Sequence, residues 1–136
     1  MTDERGEAAL RKAHALARAR EAESRQAAEL LGEFVAAATA AGIAPEPLTA
    51  RAYNSQARFR TQVTGWYLRK NRSVGVGTDG AFYVLTGPGG LKSRISGVTL
   101  TPSDPPLELG RGGRDGESIP LTDAIAIRLQ PDWRHN

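Results

Sequence analysis

Residues 27–45 read AAELLGEFVAAATAAGIAP, and this stretch decides the fold. Its apolar residues recur with the spacing of one helix face and form a single stripe of Ala27, Leu30, Leu31, Phe34, Val35, Ala38 and Ala41. Gly42 predicts the helix end as a left-handed C′ residue, with Ile43 placed to contact Ala38 and Pro45 just beyond. The stretch therefore predicts an amphipathic helix that packs on a core and stops at Gly42.

The chain before this stripe continues the helical pattern with a different surface. Residues 3–26 contain no proline, and their only large apolar residues are Leu10 and Leu16. Such a thin apolar face is typical of a solvated or frayed helix, and it also suits a helix that docks on a partner. We expect residues 1–26 to form a charged, exposed or frayed half of the helix and residues 27–136 to form one compact domain. The candidate partner-binding residues are Leu10, Ala13, Leu16 and Ala17.

After Arg58 the periodicity changes from helix to strand. Residues 58–69 alternate in a way that places Trp66 and Leu68 on the same face as Arg58 and Arg60. Two interpretations remain open. Either Gly65 is a β-bulge that changes the register, or Trp66 is presented beside the basic side chains.

Residues 74–85, VGVGTDGAFYVL, predict a β-hairpin. Asp79-Gly80 has the chemistry of a two-residue type I′ turn, in which both central residues take positive φ. That turn sets Val76 opposite Tyr83 and Val74 opposite Leu85. Gly75 and Gly77 would then form a shallow trough over which the N-terminal helix can approach the sheet.

The remaining chain predicts smaller elements. Residues 94–101 indicate a third, weaker strand, residues 102–106 a proline-rich break, and residues 107–109 a short edge strand. Thr122 and Asp123 are placed to cap a helix over 121–129, although the alternation of Ile125 and Ile127 also fits a strand. The fold class we predict is α+β, with a long N-terminal helix packed on a small antiparallel sheet of three to five strands and a short C-terminal helix.

The composition narrows the functional classes. The 136-residue chain has no cysteine, which excludes thiolate catalysis, cysteine-based zinc sites and disulfides and favours a cytoplasmic location. The first residues are charged and no apolar h-region follows them, so no secretory signal is predicted. No apolar run is long enough for a membrane span, so we expect no membrane partner.

A basic window is the main chemical feature of the sequence. Between Pro47 and Thr78 there are six bases and no acid, and aromatic residues are interleaved with them. Cations beside flat rings can contact phosphates while nucleobases stack on the rings, although the same pattern also fits a sheet with a solvated basic face. The candidate nucleic-acid-binding residues are Arg58, Arg60, Trp66, Arg69, Lys70 and Arg72.

Catalytic motifs are not predicted. Residues 75–80 match G-x-G-x-x-G, but a strand follows where a dinucleotide fold needs a helix. The two histidines, His14 and His135, lie in the charged helix and next to the last residue, so no catalytic residue, cofactor or metal site is assigned.

The leading hypothesis is a non-enzymatic interaction or assembly protein that binds another protein, or itself, through the N-terminal helix. One alternative is a nucleic-acid-binding module that uses the basic strand region around residues 51–72. The other is an enzyme whose site is assembled in space from residues far apart in sequence.

Overall fold

The computed structural model describes residues 3–53, 55–87, 97–111 and 117–133. Within these ranges the elements are α1 (Glu4–Ala40), β1 (Glu46–Ala52), β2 (Phe59–Tyr67), β3 (Val74–Gly77), β4 (Phe82–Val84), β5 (Thr86–Gly87), β6 (Glu108–Leu109), β7 (Ile119–Pro120) and α2 (Leu121–Arg128). Five strands form a sheet in the order β4-β3-β2-β1-β5, antiparallel except for the pair β1 and β5. Strands β6 and β7 pair separately. The predicted α+β class is confirmed.

Helix α1 begins and ends where local chemistry satisfies its free backbone groups. Asp3 is the N-cap, and its carboxylate accepts a hydrogen bond from the Arg5 amide at 3.0 Å. At the other end the Ile43 amide donates to the Ala38 carbonyl at 2.9 Å and the Gly42 amide to Thr39 at 3.1 Å. Gly42 has φ 76°, so the predicted Schellman ending is confirmed.

The C-terminal half of α1 packs on one face of the sheet. Its four fully buried residues are Ala27, Leu31, Phe34 and Ala38. They share a core with Trp66, Leu68, Val74, Val76 and Phe82. The Phe34 and Trp66 rings meet edge to face with centroids 5.8 Å apart. The indole Nε1 of Trp66 donates to the Ile43 carbonyl at 2.9 Å, which ties the helix end to β2.

The opposite face of the sheet is covered as well. Its core contains Leu48, Ala50, Val63, Tyr67, Tyr83, Leu85 and Trp133. Because both faces are covered near the end of β2, Trp66 and Tyr67 are both buried although they point to opposite sides. The pairing of β2 with β3 is continuous through Gly65, so neither a bulge there nor an exposed Trp66 occurs. A register shift lies instead farther along the pairing of β1 with β2, where Leu48, the one residue between Pro47 and Thr49, stands opposite residues 61–63 of β2.

The hairpin forms, but its predicted register is wrong by one residue. Val74 pairs with Val84 and Val76 with Phe82. The Gly80 amide donates to the Gly77 carbonyl, and the Gly77 amide to the Ala81 carbonyl, both at 2.9 Å. Gly80 has φ 86°, whereas among the described non-glycine residues only Arg72 has positive φ. The loop is therefore a type I turn followed by a glycine in the left-handed conformation. This type of loop needs positive φ at one residue only, and Gly80 provides it.

The expected packing of α1 over Gly75 and Gly77 is also wrong. A Cβ on Gly75 would lie 2.9 Å from a Leu48 methyl, and one on Gly77 would lie 3.3 Å from the Tyr83 ring. Both neighbours belong to the far core, so the two glycines face away from α1. The helix stands on the face of the sheet that carries Val74 and Val76.

The later elements resolve the open interpretations. The predicted strand at 94–101 lies partly outside the described residues, and its described part forms an isolated parallel bridge between Val98 and Thr61. Strand β6 confirms the edge strand, and α2 confirms the helix at 121–128. The proposed cap at Thr122 and Asp123 is wrong: the N-cap is Pro120, which makes no side-chain cap hydrogen bond, and the amide of the first helical residue, Leu121, donates to the Leu107 carbonyl at 2.7 Å.

We predict that Gly65→Ala strongly destabilises the domain. An added Cβ would lie 1.9 Å from the Val76 carbonyl oxygen, a backbone atom of the adjacent strand. We expect the unfolding free energy to fall by about 3 kcal/mol or more, measured by urea denaturation. Gly32→Ala is the matched control, because nothing lies within 4 Å of its added Cβ and it should stabilise α1 by about 0.5–1 kcal/mol. Equal midpoints for the two variants would contradict the close approach of β2 and β3.

Candidate docking helix and basic surface

The first half of α1 extends beyond its own domain. Every residue from Asp3 to Glu21 is exposed. The side chains of Leu10 and Leu16 have exposed fractions of 60% and 54%, unusually high for leucine. Among the described residues the first hydrogen bonds from α1 to the rest of the chain are made by the Glu23 carboxylate, which accepts from the Leu107 amide at 3.1 Å and pairs with Arg111 at 3.5 Å. We call residues 3–21 the free segment.

The candidate partner-binding residues lie on one side of the free segment. Ala13 stands 18 residues before Leu31, and Leu16 stands 18 residues before Phe34. Because 18 residues are about five turns of an α-helix, each pair shares one direction from the helix axis. The side of α1 that packs on the sheet therefore continues along the free segment, where it is exposed.

The candidate nucleic-acid-binding residues separate into two groups. Arg58 immediately precedes β2, Arg60 lies on that strand, and Arg69, Lys70 and Arg72 lie in the connection to β3. Trp66 is only 2% exposed and its Nε1 is bonded to Ile43. Its ring cannot stack on a base in the folded protein, so its assignment to the basic surface is wrong, because α1 covers the side of β2 that carries it.

Arg58 is held in a network that sequence reasoning missed. Its Nε donates to the Thr49 hydroxyl at 2.6 Å, and its Nη2 donates to the Thr49 carbonyl at 2.6 Å and to the Arg72 carbonyl at 3.2 Å. The Thr49 amide in turn donates to the Tyr67 hydroxyl at 3.0 Å. Arg58 therefore braces β1, β2 and the β2–β3 connection, in addition to contributing charge.

The charges around this network shift two pKa values. Burial lowers the pKa of Arg58, and the positive charges of Arg72 and Arg51 lower it further. Burial acts to raise the pKa of Tyr67, but hydrogen bonds with Thr49 and the charges of Arg58 and Arg72 outweigh it, so that this pKa is lowered. Arg51 and Arg72 therefore lie close enough to Arg58 to act on its charge, and we call these three residues the arginine cluster.

Arg69 and Lys70 lie on a separate groove. The groove, about 470 Å³ in volume, lies between the β2–β3 connection and α2, with Ile127 and Trp133 on its wall. The Arg69 Nη1 donates to the Glu117 carbonyl at 2.6 Å. The basic window is therefore divided between the arginine cluster, this groove and Arg60 on β2.

A buried arginine lies close by on α2. Arg128 is 4% exposed; its Nε donates to the Tyr67 carbonyl at 2.8 Å and its guanidinium lies 4.1 Å from the centre of the Trp133 ring. Burial lowers the pKa of Arg128. In the sequence a basic residue in the last turn of a helix indicates only dipole compensation, so nothing local signalled this role.

The structure gives no support to a dinucleotide site at residues 75–80. Gly80 of the G-x-G-x-x-G match leads into strand β4, so the motif lies in a hairpin and has no helix N-terminus for a pyrophosphate. Among the described residues no group of three or more His, Asp or Glu side chains could hold a metal ion. His14 is exposed, and His135 lies outside the described residues. No helix in the described ranges is both long and apolar enough to cross a membrane.

Comparisons with known proteins identify no relative. No family model matches the sequence, and no curated protein and no solved structure matches it significantly.

We predict that Tyr67 ionises below its ordinary pKa of 10.0 and that Tyr83 ionises above it, because burial and the charge of Asp79 raise the pKa of Tyr83. Arg58→Gln should move the pKa of Tyr67 upward, since it removes a positive charge from the hydroxyl. Arg60→Gln is the control and should leave it unchanged. Spectrophotometric titration in the near ultraviolet measures both, with Tyr67→Phe to assign the signal.

The lowered pKa of Tyr67 also determines in which direction its contribution to the stability of the fold changes with pH. Its contribution to stability is present above the unfolded pKa near 10.0 and is lost as the pH falls through the lower, folded pKa. Arg58→Gln should reduce that contribution at high pH. An unshifted Tyr67 titration in Arg58→Gln would contradict the network.

Proposed function

We propose that the chain is a non-enzymatic interaction or assembly protein that docks on a protein partner through the free segment of α1. The observation that carries the proposal is the exposure of Leu10 and Leu16 on a helix that extends beyond the domain it is anchored to. Forming the first turn of an isolated helix is unfavourable, because several residues are ordered for one hydrogen bond. Here the anchored half of α1 supplies the nucleus, so the free segment is presented already folded.

A preformed helix suits docking because binding then orders few groups. The backbone entropy of the segment is lost on folding of the domain and not again on binding. The exposed apolar residues offer an i, i+3, i+7 pattern, as in Leu10, Ala13 and Ala17, which is the spacing that helix-binding partners recognise. The proposal assigns no substrate, cofactor or metal to the chain.

We predict that Leu10→Glu combined with Leu16→Glu abolishes docking and leaves the domain folded. The substitutions place charges on the proposed docking face but contact nothing in the core, since both side chains are exposed. The matched control is Ala8→Glu with Ala15→Glu, which adds the same charges on the opposite side of the free segment. Bound protein is quantified after affinity capture on the tagged chain, and circular dichroism checks the fold. Equal loss in both variants would contradict a docking face.

A second candidate function is phosphate binding by the arginine cluster, as in a nucleic-acid-binding module. The observation in its favour is that Arg58 donates hydrogen bonds to Thr49 and to the Arg72 carbonyl while the charges of Arg72 and Arg51 lower its pKa, and neighbouring cations of this kind attract an anionic ligand. Trp66 and Tyr67 are buried, so this candidate depends on backbone phosphates and not on stacking of bases.

For the second candidate we predict that Arg51→Gln with Arg72→Gln weakens binding of a single-stranded oligonucleotide and flattens its salt dependence. For each phosphate that the variant no longer neutralises, the slope of log affinity against log salt should become shallower by about 0.7. Arg11→Gln with Arg18→Gln, which removes two exposed cations from α1, is the control. Fluorescence anisotropy over a salt series measures both. No binding at low salt, or equal weakening in the control, would remove this candidate.

A further inference from the structure

We propose that the partner of the free segment is a second copy of this chain, paired antiparallel over residues 3–20 so that Asp3 of each copy meets the partner's Arg20. The inference rests on the proposed docking function and names its occupant. It is carried by the seam of α1, by the two charges that lie in that seam, and by the length of helix left free.

A single heptad seam runs along α1 from end to end. Steps of three and four residues connect its positions without interruption: 3, 6, 10, 13, 17, 20, 24, 27, 31, 34 and 38. The last four positions are the fully buried residues that pack on the sheet. The first six, which lie in the free segment, are Asp3, Gly6, Leu10, Ala13, Ala17 and Arg20. Because an α-helix has 3.6 residues per turn, the seam turns by about 20° per heptad, so in the free segment it runs beside the direction in which the buried residues point, with Leu16 on its edge.

The size of the seam residues indicates what can pack on the free segment. Gly6, Ala13 and Ala17 leave little side chain between two backbones, so only a partner that approaches closely can fill the space. A second helix with the same small residues meets this requirement. Leu10 then fills the space opposite the partner's Ala13.

Charge selects the antiparallel orientation. The seam of the free segment contains one acid, Asp3, and one base, Arg20, at its opposite ends. A parallel pair in register would place Arg20 against the partner's Arg20 and Asp3 against the partner's Asp3, which repel one another. An antiparallel pair places Asp3 against the partner's Arg20, Gly6 against the partner's Ala17, and Leu10 against the partner's Ala13.

The flanking charges agree with this orientation. Residues 3–7 carry three acids and one base, whereas residues 8–20 carry Arg11, Lys12, Arg18 and Arg20 and no acid. In the antiparallel pair the acidic start of each helix lies beside the partner's Arg18 and Arg20. In the parallel pair each basic block would face its own copy.

The length of the overlap matches the length of helix that is free. An overlap of residues 3–20 covers 18 residues, about 27 Å at 1.5 Å per residue. It ends just before Glu23, which in the described part of the chain is the first residue of α1 that bonds to the rest of the domain. The partner helix therefore reaches the domain without displacing the bonds of Glu23 to Leu107 and Arg111, and the two domains lie at opposite ends of the pair.

Sedimentation equilibrium of the full chain over a concentration series tests the pairing. We expect a reversible dimer that Asp3→Arg alone and Arg20→Asp alone each weaken at least tenfold. The double variant Asp3→Arg, Arg20→Asp should restore dimerisation, although it lacks the same Asp3 cap as the single variant. Ala15→Asp, on the far side of the helix from the seam, is the control and should dimerise like the unmodified chain. A double variant no stronger than the single variants would overturn the contact.

Disulfide trapping tests the orientation, and it has no background because the chain contains no cysteine. A mixture of the variants Gly6→Cys and Ala17→Cys should form a mixed disulfide on mild oxidation, identified by its mass. Neither variant alone should cross-link efficiently. Cross-linking of Gly6→Cys with itself, and not with Ala17→Cys, would show a parallel pair and overturn the inference.

The failure of this inference can be distinguished from the failure of the proposed function. A chain that stays monomeric at high concentration, but captures a different protein in a manner that Leu10→Glu with Leu16→Glu abolishes, overturns self-pairing and leaves the docking function standing. If the chain stays monomeric and Leu10→Glu with Leu16→Glu does not change which proteins it captures, both the self-pairing and the docking function are overturned.

Discussion

The contact between Trp66 and the end of α1 is the constraint on which the other features of the structure depend. The indole packs edge to face on Phe34 and donates to the Ile43 carbonyl, immediately after the Gly42 turn. It thereby determines the position of the helix along the sheet as well as its distance from the sheet. Because α1 is a continuous rod, this anchor also sets how far its first half extends beyond the domain. The free segment is a consequence of where Trp66 holds the helix.

Features that depend on neighbouring residues were predictable from the sequence. The end of α1 follows from Gly42 and Ile43, whose amides close a local turn. The exposure of Leu10 and Leu16 follows from the thin apolar face around them. The hairpin was predictable but not its register, because an Asp-Gly pair suits two-residue and three-residue loops alike and only the strand pairing distinguishes them.

Features that depend on distant residues were not predictable. The alternation of β2 is intact, yet it could not indicate that α1 covers the side with Trp66 while Leu48 and Leu85 cover the other. The same limit applies to Arg58, which sequence reasoning placed on a solvated surface and which the fold engages with Thr49 on another strand. Burial of a side chain in a sheet depends on which elements lie above and below it, and this information lies far away in the chain.

The seam of α1 changes in character at the point where the helix leaves its sheet. Beside the sheet it presents Leu31 and Phe34, whose bulk fills the space of about 10 Å that separates packed layers. Beyond the sheet it presents Gly6, Ala13 and Ala17, which are too small to span that distance. Two helices can approach to about 8 Å when small residues lie at their contact. The free segment is thus suited to another helix and not to another sheet, and the opposed charges of Asp3 and Arg20 make its own sequence a complementary partner.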